Sequence, residues 1–169
     1  MATEIRDLTI NIDDPACPEC RGLIEQLDRY LSSLYPAESN HLLSIDALCQ
    51  PNVTFMTARI GAGASQFIVG CAAFVNRDGE YAELKRMFVT PEYRGLKIGR
   101  RLLDELESRV RASGLELARL ETGVSQPEVL SLCERAGYQR CGPFGDYCED
   151  ALSIFMEKRL RPTIVVSRT

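Results

Sequence analysis

Val89-Thr90-Pro91-Glu92-Tyr93-Arg94-Gly95-Leu96-Lys97-Ile98-Gly99-Arg100-Arg101-Leu102-Leu103 marks a change of period, from the alternation of a strand to the 3.6-residue repeat of a helix. Tyr81 to Val89 reads as a strand. Beyond Pro91, Ile98, Leu102, Leu103, Leu106 and Val110 share one helical face, with Arg101–Glu105 and Glu105–Arg109 as exposed pairs four apart. The connecting loop contains small residues, so backbone N–H groups converge there, and the start of the helix adds partial positive charge. Arg94, Lys97, Arg100 and Arg101 add full charges, and in a chain of net charge -4 this is the one concentrated basic patch. The segment therefore reads as a site for a phosphorylated ligand. Neither the Gly-x-x-x-x-Gly-Lys-Ser/Thr loop nor the Gly-x-Gly-x-x-Gly fingerprint occurs in it, which sets aside the two commonest nucleotide motifs.

Upstream, Ile5 to Ile12 alternates as a first strand ending at Asp13-Asp14-Pro15. Leu23, Ile24, Leu27, Tyr30, Leu31 and Leu34 recur at helical spacing until Pro36 stops them, and residues 37 to 50 read as a turn or a short second helix. Val53–Ile60 and Phe67–Val75 are strand-like runs joined by Gly61-Ala62-Gly63-Ala64, and Asn76-Arg77-Asp78-Gly79 is a second turn signal, so the middle of the chain reads as an antiparallel meander. Downstream, Gly114 closes the helix, Leu117 to Thr122 returns as a strand, and Pro127 to Ala136 forms another helix ended by Gly137. Strand, helix, strand implies a parallel crossover. Tyr138–Cys141 and Leu152–Lys158 add two strands around the loop 142–147, which gives the order β-α-βββ-α-β-α-β-β.

The 169 residues, 45% of them hydrophobic, fit one domain over 1–169, with a core over roughly 4–160 and a flexible tail at 161–169. Charges make up 26% of the chain with both signs interspersed, which excludes a blanket attraction to nucleic acid or to an anionic membrane. The N-terminus lacks the basic start and apolar run of a secretory signal, and no stretch approaches the roughly 18 apolar residues of a membrane span, so a cytoplasmic location is expected. Seven cysteines, an odd number, suit a reducing compartment and packing roles. Cys17-Pro18-Glu19-Cys20 matches half a zinc knuckle, but no second Cys-x-x-Cys accompanies it and His41 is the single histidine, so no metal is expected.

The opening stretch resembles a signature of the GNAT acetyltransferases, whose loop reads Arg/Gln-x-x-Gly-x-Gly/Ala. Gln126-Pro127-Glu128-Val129-Leu130-Ser131-Leu132-Cys133-Glu134-Arg135-Ala136-Gly137-Tyr138 is similar to the family's second signature, Asn-x-x-Ala-x-x-Leu-Tyr-x-x-x-Gly-Phe/Tyr, and together the two cover residues 82–141. The resemblance implies an α/β GNAT acyl-CoA N-acyltransferase fold: a mixed, mostly antiparallel central sheet flanked by helices, whose fourth and fifth strands splay apart to admit pantetheine. It implies acetyl-CoA as co-substrate and transfer of acetyl to a primary amine of a small molecule or peptide, by direct attack in a ternary complex. By position, Met87 and Val89 would offer main-chain groups to pantetheine and the acetyl group. Arg94, Gly95, Leu96, Lys97, Ile98, Gly99 and Arg100 would hold pyrophosphate, and Gln126 stands where the family often has an Asn near the pantetheine arm.

An alkylammonium of pKa near 10.4 must lose a proton before it attacks a thioester. Glu83 resembles the strand Glu that serves as base in histone-acetylating members, and strict alternation puts Glu83, Lys85, Met87 and Val89 on one face. An ion pair of Glu83 with Lys85 or Arg86 is the other reading of the same residues. The N–H of Val89 is placed to stabilise the oxyanion. The departing thiolate needs a proton, which in many relatives a Tyr gives; here that position is Cys133, read either as acid or acetylated nucleophile or as helix packing with Val129 and Ala136. Tyr147 is a substitute donor or a packed corner of the loop Phe144-Gly145-Asp146-Tyr147. Lys97 replaces the family's preferred Gly, which a peptide near helical geometry would tolerate while the Lys added a charge for phosphate. An acyl-CoA-binding or regulatory module with little activity is the alternative function. The acidic chain leans toward small cationic amines as acceptors, and a homodimer is compatible with the whole.

Overall fold

The periodicities read above close into one sheet. The computed structural model describes residue 5 and residues 7–161, so the expected tail lies, from 162 on, outside the described residues. Strands β1 (Leu8–Ile12), β2 (Val53–Ile60), β3 (Phe67–Arg77), β4 (Tyr81–Val89), β5 (Leu117–Gly123), β6 (Gln139–Cys141) and β7 (Ser153–Arg159) form it in the order β1-β2-β3-β4-β5-β7-β6. Every neighbouring pair is antiparallel except β4–β5. The strand expected from Ile5 begins at Leu8, because Asp7 takes a positive φ of 70° and the ladder opens with Leu8 opposite Ile60. The helices are α1 (Pro18–Leu34), α2 (Ile45–Leu48), α3 (Ile98–Ala112) and α4 (Pro127–Arg135). The ambiguous stretch before β2 becomes a single turn at Ala37–Ser39 and the short α2, whose start is capped by the Ser44 hydroxyl accepting from the Ala47 N–H at 3.1 Å.

Alternation along β3 sorts the core onto two faces. Cys71 and Ala73 pack with Leu23, Ile24 and Leu27 of α1, whereas Ala72 and Phe74 pack with Leu102, Leu103 and Leu106 of α3. The α3 stripe is fully buried, each side chain contributing about 1.5–3 kcal/mol, which fixes the helix and the loop that precedes it. Among the described residues no helix is long and apolar enough to cross a membrane.

Two irregularities open the middle of the sheet. The parallel ladder of β4 and β5 joins Ala82 to Ala118, Glu83 to Arg119 and Leu84 to Leu120, and then stops. Two residues later β4 bulges: Arg86 takes a φ of 58°, and the β3 partners step from Ala73↔Lys85 to Cys71↔Phe88, so Arg86 and Met87 together face Ala72. The bulge overturns the single face expected for Glu83, Lys85, Met87 and Val89. Glu83 and Lys85, opposite Val75 and Ala73, lie on the α1 side, while Met87 and Val89 pack into the α3-side core. An alternation read from residue types has no means of registering one inserted residue, and Arg is rarely found at positive φ.

Candidate active site

Where β4 and β5 part, two cavities meet. The larger, about 370 Å³, runs from the loop 94–100 past Tyr30 and Val89; the smaller, about 100 Å³, lies between Lys85 and Arg86 of β4 and Glu121 and Thr122 of β5. Met87, Gln126 and Val129 belong to both, so the two are one cleft with a waist.

The main chain of β4 faces this cleft. Val89 stands opposite Gly70, and the Thr90 N–H donates to the Val69 carbonyl at 2.9 Å. In an antiparallel ladder that pattern marks Val89↔Gly70 as a non-hydrogen-bonded pair, so the N–H and C=O of Val89 point away from β3 into the opening. Met87, one alternation back, points the same way.

At the far end the loop turns through two left-handed residues, Gly95 (φ 79°) and Lys97 (φ 63°). The near-helical geometry expected at Lys97 is therefore corrected: as the N-cap of α3 it sits in αL with a ψ of 17°, a conformation that costs any side-chain-bearing residue roughly 1–2 kcal/mol. The family's preferred Gly would sit there without strain. No side chain caps α3, so the amides of Ile98, Gly99 and Arg100 point out of the helix without an intrahelical acceptor. They form a ready anion site. A Cβ on Gly99 would come within 3.3 Å of Leu132 Cδ2, which explains the glycine by the closeness of α4. Arg94 is exposed but folds back along the cleft: its Nε–H donates to the Val89 carbonyl at 3.1 Å, and its guanidinium lies over the rings of Tyr30 (5.4 Å) and Phe88 (5.7 Å). Arg100 donates to Asp104 at 3.0 Å.

At the waist Gln126 caps the entry to α4, its Oε1 accepting from the Tyr35 hydroxyl at 3.3 Å while that hydroxyl accepts from the Ser125 N–H at 3.1 Å. Tyr35 lies so tightly across the end of β5 that a Cβ on Gly123 would sit 1.9 Å from its hydroxyl oxygen. Sequence reading passed over Tyr35, because a Tyr before a helix-ending Pro carries no signal of where its ring will lie.

The small cavity is an electrostatic contrast. Glu83, 1% exposed, accepts from Arg77 Nε and Nη2 at 2.9 and 2.7 Å on one oxygen and from the Tyr147 hydroxyl at 2.6 Å on the other, with Lys85 Nζ 3.4 Å away. Burial alone would raise its pKa, but the Lys85 charge, the Tyr147 hydroxyl and Arg77 outweigh it, and the carboxyl is held below its ordinary value. The ion-paired reading thus has its geometry, with Arg77 and Lys85 as partners. Arg86 instead binds Asp28 and the Leu43 carbonyl, tying α1 and the following loop to the bulge. Glu121 is the opposite case. Half-buried, it accepts the Ser153 hydroxyl at 2.8 Å on Oε1, its Oε2 has no hydrogen-bond partner among the described residues, and burial pushes its pKa above the ordinary carboxylate value. Sequence reading missed it. The available signal was an acidic residue at the carboxyl end of a central strand beside a parallel neighbour, where ligands of open α/β sheets bind.

Tyr147 stands in a ring cluster with His41 (5.0 Å), Phe144 (5.3 Å) and Phe155 (5.5 Å), and its hydroxyl bridges Lys85 Nζ (2.5 Å) and Glu83. Burial and the Glu83 charge push its pKa well up. Cys133 is 1% exposed in the α3-side core, and burial pushes its thiol up to about 12. Cys133 also borders the small cavity, while the Tyr147 hydroxyl is committed to Lys85 and Glu83.

A family model described as the acetyltransferase (GNAT) family matches residues 21–138. An IAA acetyltransferase of Azospirillum brasilense is 48% identical over 155 residues, covering 91% of this chain and 99% of the relative. A candidate acyl-CoA N-acyltransferase of Klebsiella pneumoniae subsp. pneumoniae MGH 78578 superposes with a TM-score of 0.76 at 32% identity, over 91% of this chain and 98% of that one. A GNAT acetyltransferase of Elizabethkingia anophelis with acetyl-CoA bound shares the fold at a TM-score of 0.61 and 18% identity, over 91% and 99% of the two chains.

Proposed function

The chain belongs to the GNAT acetyltransferase family, and from that premise we propose that it moves the acetyl group of acetyl-CoA to a primary amine of a small molecule or peptide by direct attack in a ternary complex. The observation that carries this reading is the single cleft: main-chain donors for phosphate at one end, a carboxylate with an open oxygen and raised pKa at the other, and the unpaired edge of β4 between them.

In this reading the amides of Ile98, Gly99 and Arg100 receive the pyrophosphate, with Arg94, Gly95, Leu96 and Lys97 shaping the loop around it. Met87 offers its outward N–H and C=O groups to the pantetheine amides, as a neighbouring strand would, which leaves the outward N–H of Val89 for the acetyl group. Gln126, steadied by Tyr35, closes the waist. Glu121 takes the proton of the acceptor ammonium through Oε2, because a base works best when its pKa is raised toward the working pH. Glu83, with both oxygens occupied, acts as positioning residue: it holds Lys85 and Tyr147 in place across the cavity from Glu121. The N–H of Val89 stabilises the oxyanion. The departing thiolate takes its proton from bulk solvent, since the Tyr147 hydroxyl is committed to Glu83 and burial holds the proton on the Cys133 thiol. A small cavity of about 100 Å³ admits the amine-bearing end of an acceptor, with the remainder lying outside.

Thiol release from acetyl-CoA across a panel of amines, amino acids and short peptides tests the reading. Amine-dependent release with intersecting initial-rate patterns supports it. Binding of acetyl-CoA with no thiol release from any acceptor would replace it with the binding-module alternative.

A further inference from the structure

Away from the cleft, α1 begins on Cys17-Pro18-Glu19-Cys20. Cys17 is the N-cap, with φ -64° and ψ 149°, and its Sγ accepts the Cys20 N–H at 3.4 Å, which folds the first sulfur back over the turn that carries the second. The two Sγ atoms and the Asp13 carboxylate lie within 4.8 Å of one another. With the two sulfurs already this close, side-chain rotation together with a small shift of the first helical turn brings them to the roughly 2 Å of an S–S bond. Exposure is unequal: Cys20 is 0% exposed in the α1-side core beside Leu23 and Ile24, whereas Cys17 is part-exposed.

A cation suits this cluster badly. Asp13 Oδ2 already accepts from Thr57 Oγ1 (2.7 Å) and from Arg59 Nη2 (2.7 Å) and Nε (3.1 Å), its Oδ1 accepts the Asp14 N–H (2.9 Å), and Arg59 also binds Glu19. A metal ion would have to displace these bonds beside a guanidinium. The two thiols face no such competition.

We propose that Cys17 and Cys20 are a dithiol site that exchanges with low-molecular-weight disulfides, independent of the acetyl-transfer cleft. Cys17 sulfur attacks the external disulfide, forming a mixed disulfide and releasing one thiol; Cys20 sulfur then attacks Cys17 sulfur, forming the internal bond and releasing the second thiol. Two protein thiols are oxidised, one external disulfide is reduced, and the two protons leave on the two released thiols. Burial holds the Cys20 thiol protonated, so the second step is the slow one and the mixed disulfide on Cys17 accumulates.

The intact protein is equilibrated with glutathione and glutathione disulfide at a series of ratios, quenched, alkylated and digested with trypsin. Asp7–Arg21 contains Cys17 and Cys20 and no other cysteine. With rising glutathione disulfide this peptide passes from two alkyl groups to none and becomes about 2 Da lighter than its dithiol form. Cys20→Ser, or Cys20→Ala where the Ser variant fails to fold, retains glutathione on Cys17. Cys17→Ser takes up glutathione on Cys20 more slowly by about tenfold or more. Two alkyl groups on the peptide at ratios that already modify exposed Cys49 and Cys148 overturn the proposal. So does equal uptake by the two variants, or protection of both thiols by one equivalent of zinc, which would make the cluster a metal site.

Discussion

At the phosphate end of the cleft, the groups offered to a ligand are largely main-chain atoms of one short segment, residues 94–100. At the acceptor end they are side chains from distant parts of the chain, Tyr35, His41, Lys85 and Glu121, with Glu83 and Tyr147 holding Lys85 from behind. The first end is built by local conformation and needs only a fixed helix start. The second depends on a field, in which neighbouring strands carry two carboxylates with opposite shifts: Glu83 held ionised by Arg77, Lys85 and Tyr147, Glu121 pushed toward its neutral form by burial. Substitutions at the acceptor end should therefore move the rate or the stability strongly, and those at the phosphate end should shift affinity moderately.

The largest effect is expected at Glu121. Glu121→Gln should lower kcat by about 10²–10⁴, the usual worth of a general base, with the KM for acetyl-CoA little changed. Wild-type kcat should fall as pH drops through the raised Glu121 pKa, and the variant should lack that limb. Its stability should move the other way. A carboxyl whose folded pKa lies above the unfolded one stabilises the fold below the unfolded value and loses that contribution as pH rises through the folded value. At neutral pH Gln removes a penalty, so the thermal midpoint should rise, and the gain should vanish in acid. A lower midpoint at pH 7 would mean that Glu121 is stabilised as an anion, and the base assignment would go with it.

Glu83→Gln breaks the comparison from the other side. Its folded pKa is depressed, so its contribution is present above the unfolded pKa and lost as pH falls through the folded one. Removing one partner from a buried network costs about 3–5 kcal/mol; Arg77, whose side chain is 41% exposed, can find water, so the lower end applies. A fall of roughly 6–12 °C in the midpoint at pH 7 follows, shrinking toward pH 4. The acid limb of kcat should survive, because it belongs to Glu121. If that limb disappears in Glu83→Gln and persists in Glu121→Gln, the two roles are exchanged.

The same contrast explains what could be read before any coordinates were known. The start of α3, the βα crossover and the order of elements along the chain follow from periodicity and turn residues within windows of ten or fifteen positions, and they stand in the fold as expected. The bulge at Arg86 does not, since Tyr81 to Val89 alternates convincingly on paper and the inserted residue is not a glycine. Glu121 and Tyr35 were invisible for another reason: what distinguishes them is burial against Ser153 and close passage over Gly123, contacts that span tens of residues. Glu83 was conspicuous as an acid in a strand, but its saturation by Arg77 and Tyr147 depends on a hairpin and on a loop that reaches it from near the end of the chain.

At the phosphate end, Arg94→Ala removes the bond to the Val89 carbonyl and the cation over Tyr30 and Phe88. The KM for acetyl-CoA should rise by about tenfold, or about 1.4 kcal/mol, with kcat nearly unchanged. A loss in kcat at constant KM would place Arg94 in the chemistry and erase the division between the two ends.

The smallest effect, at Lys97, separates conformation from charge within the loop itself. Lys97→Gly relieves roughly 1–2 kcal/mol of left-handed strain but adds about 0.4–1 kcal/mol of unfolded-chain entropy, which leaves a net gain near 0.5–1 kcal/mol and a midpoint higher by about 2–3 °C. Lys97→Ala keeps the strain and removes the charge, so it should gain nothing in stability. If the Lys97 charge assists phosphate, both variants should raise the KM for acetyl-CoA by the same two- to threefold, roughly, and the increase should fade at high salt. If neither raises it, the loop binds phosphate through its backbone alone, with Lys97 tolerated at a left-handed position where glycine serves better.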